Sequence, residues 1–460
     1  MAVCSSVAQS QIEYSRIDAD FYHPNYLEEL AVWKKIEERF GVSKLSKLIS
    51  APVRTGRTPP SRNIKSNDEI VAFIKTDGVR EGTVNFSSAG ELPKRVLSKS
   101  DLIPPDSVVI TIIGATPEIV GRAAIIRASD PPCVTNQNVA VISTNGKCDP
   151  YFLTAFLQTK FGRDQVWRHS RRTEQVNLNC REVERILVPL PSAEVQRKIG
   201  YVVRASFSAS DRSDLIFHEA LEKLSFELRL NSLKFDRPMG YAASFSELEI
   251  SLRSDAQHFQ PRFMQLASHL SNFPTRRIRE VRRLNRRGIQ PIYVEGGAHA
   301  VVNSQHLGPK HINYEGLQRT TEKLFNAAPE AHIYKDDLLI YTTGAYIGRT
   351  NVYLDDTPAF ASNHVNILRL SPDIDHAYMA MVFQSVIGQF QTQKHARGSA
   401  QAELYPADID KFVVPLLPSE KQREIGDLVR ESLAQQRESA RLLEQAKARV
   451  EQLIEEAVAA

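Results

Sequence analysis

The chain has 460 residues, 42% hydrophobic and 24% charged, with a formal net charge of +4; these are ordinary globular values that predict roughly three domains at about 150 residues each. The mild basic excess weakly favours a polyanionic partner, and no apolar run approaches the roughly 20 residues of a membrane span. The N-terminus lacks the basic and apolar regions of a secretory signal, and Cys4, Cys133, Cys148 and Cys180 form no C-x-x-C pair, so a reduced, cytoplasmic protein without structural zinc is expected.

In chain order, residues 1–37 form a leader that carries Arg16-Ile17-Asp18-Ala19-Asp20-Phe21-Tyr22-His23-Pro24. A mixed α/β body is expected over 38–190. Its β-branched runs, such as Ser107 to Ile113 and Asn138 to Ile142, end in Gly, Pro and Asn signals and read as strands. Asp130-Pro131-Pro132-Cys133 has the Asp-Pro-Pro of amino-methyltransferases, but Cys133 stands where those enzymes place an aromatic residue. With no Gly-x-Gly partner after a strand, it reads as a Pro-rich loop. No phosphate-binding Gly-x-x-x-x-Gly-Lys loop and no His-x-x-x-His pair is present.

A central helical region over 191–236 follows, its helix running from about Ala193 to Leu230 with Ile199, Val203, Ser206, Ile216, Leu221, Leu224 and Leu228 apolar or small. A second leader spans 237–274, a second body 275–416 and a C-terminal helical region 417–460. The last helix should begin at Ser419 as N-cap, with Gln422 completing a capping box. Its seam positions (Ile425, Val429, Ser432, Gln436, Ala440, Leu443, Val450, Ile454 and Ala457) recur at spacings of three, four or seven, apolar or small with the one polar interruption at Gln436, which predicts a coiled-coil seam. Two long helices that cannot bury their stripes alone are expected to bury them on each other.

The second half repeats the first. Arg16-Ile17-Asp18-Ala19 returns as Arg253-Ser254-Asp255-Ala256, and Pro189-Leu190-Pro191 with Gln196-Arg197 returns as Pro415-Leu416-Leu417-Pro418 with Gln422-Arg423. Between these ends Gly114-Ala115 answers Gly344-Ala345, Gly121-Arg122 answers Gly348-Arg349, Thr135-Asn136-Gln137 answers Ser362-Asn363-His364, and Gln175 answers Gln401. The period is far too long for a solenoid. Duplication of a whole domain suits a two-part ligand, of which double-stranded DNA is the commonest.

With these residues in view, the chain resembles the specificity subunits of type I restriction-modification systems. The Pro-Leu-Pro-x-x-x-x-Gln-Arg signature carries the resemblance, together with Arg57-Thr58-Pro59-Pro60-Ser61-Arg62 and the Gly398-Ser399-Ala400-Gln401 turn. The first copy departs at that turn, reading Arg172-Thr173-Glu174-Gln175. The resemblance implies an α+β fold: two pseudo-symmetric mixed α/β target-recognition domains joined by two long antiparallel coiled-coil helices. It implies that each domain reads one half of a bipartite DNA site. The helices would set the unread spacer and dock two methyltransferase subunits, with motor-nuclease subunits as further partners. No cofactor is expected in this chain; S-adenosylmethionine and ATP belong to the partner subunits. The competing readings are a diverged stand-alone DNA-modifying enzyme and a protein-binding scaffold.

Candidate DNA contacts follow from side-chain chemistry, since Arg and Lys suit guanine or phosphate and Asn and Gln suit adenine. In the first copy they are Arg54, Arg57, Thr58, Arg62, Lys75, Arg80, Arg171, Arg172 and Gln175; in the second they are Lys310, His311, Lys394, His395, Arg397 and Gln401. Seven arginines crowd residues 276–287, and Arg282, Arg283, Arg286 and Arg287 are expected to meet phosphates. Asn136 and Asn363 read as turn-formers. Gln196, Arg197, Gln422 and Arg423 are the candidates for subunit docking.

Overall fold

Each repeat is tied together first at its leader. Arg16, almost fully buried, places its guanidinium on the Asp18 carboxylate at 2.8 and 3.1 Å and on the carbonyls of His169 and Ser170 at 2.6 and 3.1 Å. Arg253 does the same with Asp255 at 2.6 Å and with the carbonyls of His395 and Ala396 at 3.2 and 3.1 Å. Both aspartates also cap a following turn, accepting from Phe21 N and His258 N. The carbonyls belong to the C-terminal ends of the helices Lys160–His169 and Val386–His395, where unpaired acceptors and the helix dipole favour a cation. The repeated Arg-x-Asp is therefore a staple from leader to body.

The computed structural model describes residues 6–9, 12–13, 16–59, 63–114, 119–172, 176–236, 238–314, 316–398 and 401–459, with Arg172 described by its backbone alone. It divides into two units, 1–209 with 437–460 and 210–436. In the first, an antiparallel sheet has the strand order Arg54–Thr55, Val139–Ile142, Ser107–Thr111, Ala123–Ile126. The second has the same order in Arg282–Arg287, Val365–Leu370, Leu338–Tyr341, Thr350–Val352. Each unit adds a small mixed sheet built on a parallel pair: Ile70–Ile74 with Cys133–Thr135, and His299–Val302 with Ala359–Ala361. In each, the incoming strand pairs antiparallel with the outgoing one, Val42–Lys44 with Leu187–Pro189 and Thr275–Arg277 with Val413–Pro415. Two mixed α/β units of one topology match the duplication. Asp130-Pro131-Pro132 lies in the loop between Ala123–Ile126 and Cys133–Thr135, with Asp130 holding Arg127 at 2.9 Å.

The long helices run Ala193–Glu227 and Ser419–Ala459. The first ends three residues before Leu230, where Arg229 turns left-handed at φ 52°. The unit boundary falls within both helices, because each half-helix buries its stripe in the core of a body. Ile199, Val203 and Phe207 join Ala446, Val450 and Ile454 in the first core; Phe217, Ala220 and Leu224 join Ile425 and Val429 in the second. Within the second unit the two helices run antiparallel, Lys223 pairing Glu424 at 2.7 Å and Arg212 pairing Glu431 at 3.2 Å. Buried Ser213 and Ser432 each donate to the other's carbonyl at 2.8 Å. Ser439 and Ala446 are buried in the C-terminal helix, whereas Ala440 is exposed.

The expected capping box at Ser419 does not form, because Gln422 is turned toward the body. Its Oε1 accepts from Asp375 N at 3.1 Å and its Nε2 donates to the Leu417 carbonyl at 2.7 Å. Gln196 repeats this on Asp149 N and the Pro191 carbonyl, at 3.0 and 2.9 Å. Asp149 and Asp375 are N-caps of the helices Pro150–Gln158 and His376–Gln384. Four residues beyond each glutamine is a glycine, and four beyond that an arginine. That spacing is one helix face, and all three residues meet the same aspartate. Arg204 reaches Asp149 at 3.3 Å and Arg430 pairs with Asp375. A Cβ on Gly200 would lie 2.8 Å from Asp149 Oδ1, and one on Gly426 only 2.3 Å from Asp375 Oδ1. Glycine is needed here for the closeness of the carboxylate. Gly426→Ala should therefore lower the unfolding free energy by ~1–2 kcal/mol, overpacking outweighing the gain in helix propensity, and Gly200→Ala by less. Urea denaturation checks both; a Gly426→Ala protein as stable as wild type would refute so close a fit.

Candidate nucleic-acid interface

The strand registers decide which candidates can act together. Arg54 pairs with Val141 and Arg286 with Ile367, so the first strand of each sheet leaves at the end where the central strand finishes, after Thr111 or Tyr341. The next residue is glycine in both units. A Cβ on Gly56 would fall 1.8 Å from the Thr135 carbonyl oxygen, and one on Gly288 2.2 Å from that of Ala361. Only glycine lets this segment cross so close to the parallel pair. The pair ends at the same place, Asn136 N donating to the Ile74 carbonyl and Ser362 N to that of Val302, both at 3.1 Å. Asn136 also accepts from Asn138 N at 3.1 Å, the turn expected of it.

Two further segments reach this end. The loop from Gly344 to Gly348 follows Leu338–Tyr341, and Gly344 N donates to Ala402 in the turn that pairs Arg397 with Glu403. In the first unit Arg171–Arg172 pairs with Val176–Asn177, which pairs with Ile113–Gly114. Ile113–Gly114 thus lies beside Val176–Asn177, and Gly344 beside Ala402, segments far apart in sequence.

At this end of the first unit are Arg54, Arg57, Thr58, Lys75, Arg171 and Arg172. Arg57 is exposed, yet its guanidinium holds Asp101 at 2.7 and 3.0 Å; that pairing keeps the Asp101 carboxyl well below the usual range. Arg54 donates to the Leu102 carbonyl at 3.0 Å, Thr58 to Gln137 Oε1 at 2.8 Å, and Arg171 to Glu182 at 3.0 Å. Lys75 is exposed at the end of Ile70–Ile74. Arg62 and Gln175 lie outside the described residues. In the second unit the end holds Arg286, Arg287, Arg397 and Gln401. Arg287 donates to the Leu404 carbonyl at 2.9 Å beneath the Tyr405 ring, and Arg397 pairs with Asp408 at 2.7 Å.

Sequence reasoning missed several residues here. Tyr293 donates to Asn303, and Asn303 to Gln318, at 2.9 and 3.2 Å. Exposed His364 follows Asn363 in the turn. Tyr346 stands 55% exposed on its loop with the Arg349 guanidinium 3.7 Å from its ring centroid. Only the alignment of Gln137 with His364 and of Gly121-Arg122 with Gly348-Arg349 pointed this way.

Other candidates lie elsewhere. The arginine run passes through the strand Thr275–Arg277 and the helical turn Ile278–Val281 into the strand Arg282–Arg287, so Arg282 and Arg287 are ~17 Å apart at about 3.3 Å per residue. A bulge between Arg282 and Leu284 puts Arg282 with Asn285, where both bond Asp410. Arg283 and Arg286 are exposed and make no ion pair among the described residues. Arg80 and Lys310-His311 occupy matched turns, bridged Val79 to Val84 and Leu307 to Ile312, beside the edge strands Ala123–Ile126 and Thr350–Val352 and across each sheet from Arg54–Thr55 and Arg282–Arg287. Lys310 pairs with Asp214 of the long helix at 2.6 Å. Lys394 and His395 belong to the helix end held by the leader. There burial lowers the Lys394 ammonium and pushes His395 down to about 3, helped by the Lys394 charge. Gln196 and Gln422 are buried in their own units, leaving Arg197 and Arg423 exposed.

The two sheet ends thus present guanidinium, ammonium, amide, hydroxyl and aromatic groups on backbones fixed by strand pairing. That set can hydrogen-bond base edges and neutralise phosphates. The family described as Type I restriction modification DNA specificity domain matches residues 37–206 and 300–445, and the chain belongs to that family. The type I restriction enzyme EcoBI specificity subunit of Escherichia coli is 25% identical over 195 residues. That match spans 41% of this chain and 40% of the relative, less than half the relative's length. The type-I restriction-modification system S subunit from M. genitalium aligns over 91% of this chain and 96% of its own, with 13% identity and a TM-score of 0.41. The HsdS subunit from Thermoanaerobacter tengcongensis aligns over 91% and 95%, with 18% identity and a TM-score of 0.29. No helix among the described residues is long and apolar enough to cross a membrane.

The matched turn gives a pH test. Desolvation pushes His311 down to about 4, with the Asp214 carboxylate opposing and Lys310 assisting. The unfolded imidazole titrates near 6.5. Its contribution to stability is therefore full above about pH 6.5 and is lost as pH falls toward 4, because the unfolded chain binds the extra proton. His311→Gln should reduce the slope of stability against pH in that window by up to ~1.4 kcal/mol per pH unit. Urea unfolding at pH 7, 6 and 5 measures it; an unchanged slope would place the imidazole in water.

Proposed function

We propose that this chain is the DNA sequence-specificity subunit of a type I restriction-modification complex, and that it carries no catalytic centre of its own. Each unit reads one half of a bipartite site through its sheet end. The long helices, which continue from one unit into the other, set the unread spacer and dock methyltransferase subunits, with exposed Arg197 and Arg423 on the docking side. Methyl transfer, with its S-adenosylmethionine, belongs to those subunits, and ATP-driven cleavage to any motor-nuclease subunits. The observation that carries the reading is the sheet end itself, in a family of DNA specificity domains. The same backbone segments converge in both units, but they present Arg57, Thr58, Gln137 and Lys75 in one and Tyr293, Asn303, Gln318 and His364 in the other. Equal scaffolds with unequal side chains suit two different half-sites.

The test is methylated-site mapping with the chain co-assembled with its methyltransferase subunits. A two-part site with a fixed spacer is expected. Asn303→Ala with Gln318→Ala should relax positions in one half-site only, since removing a bidentate hydrogen-bonded pair to a base costs about 1–3 kcal/mol of discrimination. Two outcomes would overturn the proposal: methyl transfer to DNA by the purified chain alone, or no DNA affinity in the assembled complex.

The free arginines give a separate expectation. Arg283→Ala with Arg286→Ala should weaken binding to all DNA alike. It should also flatten the dependence of log K on log salt by about 0.9 for each phosphate no longer neutralised. Arg282→Ala, whose guanidinium is held by Asp410, should change that slope much less. Equal slopes for wild type and the double variant would show that these arginines neutralise no phosphate.

A further inference from the structure

The matched turns at Val79–Val84 and Leu307–Ile312 are shaped alike, lie beside the edge strands Ala123–Ile126 and Thr350–Val352, and each rests on a long helix. In the first unit the turn residue Gly82, at φ 79°, lies so close to the C-terminal helix that a Cβ would be 2.9 Å from Leu443 Cδ2. Its amide bonds the Ala123 carbonyl, which Gln158 also holds at 3.4 Å. In the second unit Lys310 stands in the place of Gly82. Its ammonium pairs with Asp214 at 2.6 Å and lies 5.8 Å from the Phe217 ring centroid, both on the helix Ala193–Glu227. The Lys310 carbonyl accepts from Gln384 at 3.2 Å, and the same amide bonds the Thr350 carbonyl. A glutamine at the end of each body's buried helix thus braces the turn from behind, while the turn meets the long helix in front.

We infer that these turns fix the angle of each body on its helix, and that Lys310 is a positioning residue for spacer length in the recognised DNA. The inference deepens the DNA-specificity reading and rests on it for the spacer. Its mechanical half stands alone. The aspartate contact at Gly426 anchors the second body near the C-terminal helix start, and the turn supplies a second point on the other long helix. Together with the apolar packing of Phe217, Ala220 and Leu224 into the body, this polar contact resists rotation of the body about the C-terminal helix. The side chain of Lys310 is spent on Asp214, so the residue holds a body in place and reads no base.

Two measurements test it on the full chain. Spin labels placed by Lys323→Cys and Glu219→Cys, with Cys4→Ser and Cys180→Ser, report the body-to-helix distance inside the second unit. Lys310→Ala should broaden that distribution, and Lys310→Asp combined with Asp214→Lys should narrow it again. In the assembled methyltransferase without labels, Lys310→Ala should raise methylation at sites whose spacer differs by one base pair by up to about fivefold. That factor equals the ~1 kcal/mol upper end for an exposed ion pair. The bases of both half-sites should stay the same, and the reversed pair should restore the wild-type spacer. An unbroadened distribution overturns the inference, as does an unchanged spacer preference. Altered half-site bases would overturn it too, by making Lys310 a reader. If even the wild-type chain directs no methylation, the DNA-specificity proposal falls, and the distance measurement still decides whether the turn holds the body.

Discussion

In each unit one carboxylate decides how the long helix meets its body. Asp149 Oδ1 caps two backbone N–H groups of the helix Pro150–Gln158, at 2.8 and 3.1 Å, while Oδ2 takes Arg204. Its own N–H is held by Gln196. Asp375 is bound in the same way by Tyr378 N, Arg430 and Gln422. A helix side chain, a helix glycine and a second helix side chain close on one aspartate, the glutamine accepting from its N–H and the arginine donating to its carboxylate, so sliding the long helix by a single residue would break all three. Hydrogen bonds to charged groups are worth about 1.5–3 kcal/mol each, and a half-buried carboxylate that loses them pays its desolvation in full. The strand pairings then carry that fixed relation out to the sheet end where the candidate readers sit.

The sheet end itself is rigid for a different reason. Gly56 and Gly288 let one chain segment cross a carbonyl at a distance that no side chain permits, and Gly348 is wedged against Thr392. Backbone positions are thus set by contacts within the scaffold, leaving the outward side chains free to differ between units. The salt links near this end, Arg57 with Asp101 and Arg397 with Asp408, reduce the number of cations available to a polyanion. A count of arginines therefore overstates the positive face, and free groups such as Lys75, Arg283 and Arg286 matter more than the total.

The duplication was legible because the same side chains do the same work twice: the Arg16 and Arg253 staples and the Gln196 and Gln422 forks are chemically identical, so selection on either leaves identical letters. Helix extents were legible from the long uninterrupted polar-apolar pattern. What those letters contact was not. Gln196 and Gln422 looked like surface residues beside an arginine, yet their amides face inward, and a helical periodicity cannot say which body a stripe will find. Lys310 and His311 looked like loop-tip readers, because nothing local reveals that Asp214, almost a hundred positions earlier, lies beneath them. Tyr293, Asn303 and Gln318 were invisible for the converse reason: their triad exists only through the register of strands that pair across long gaps, and none of the three is repeated in the first copy.

The pairing of each body's incoming strand with its outgoing one has a consequence for how such a chain can change. Val42 faces Pro189 and Thr275 faces Pro415 across a ladder, where neighbouring strands lie about 4.8 Å apart. The polypeptide therefore leaves each body almost where it came in. Everything between the two paired strands can be exchanged for a different body as long as the replacement returns its ends to that spacing and supplies an aspartate for the helix glutamine. The replacement must also offer helix-end carbonyls to the leader arginine, an apolar face to the stripe of the long helix and a turn that rests on it. Such a layout behaves as a cassette holder, in which a new body that keeps these few contacts can be installed without redesigning the shaft that carries it.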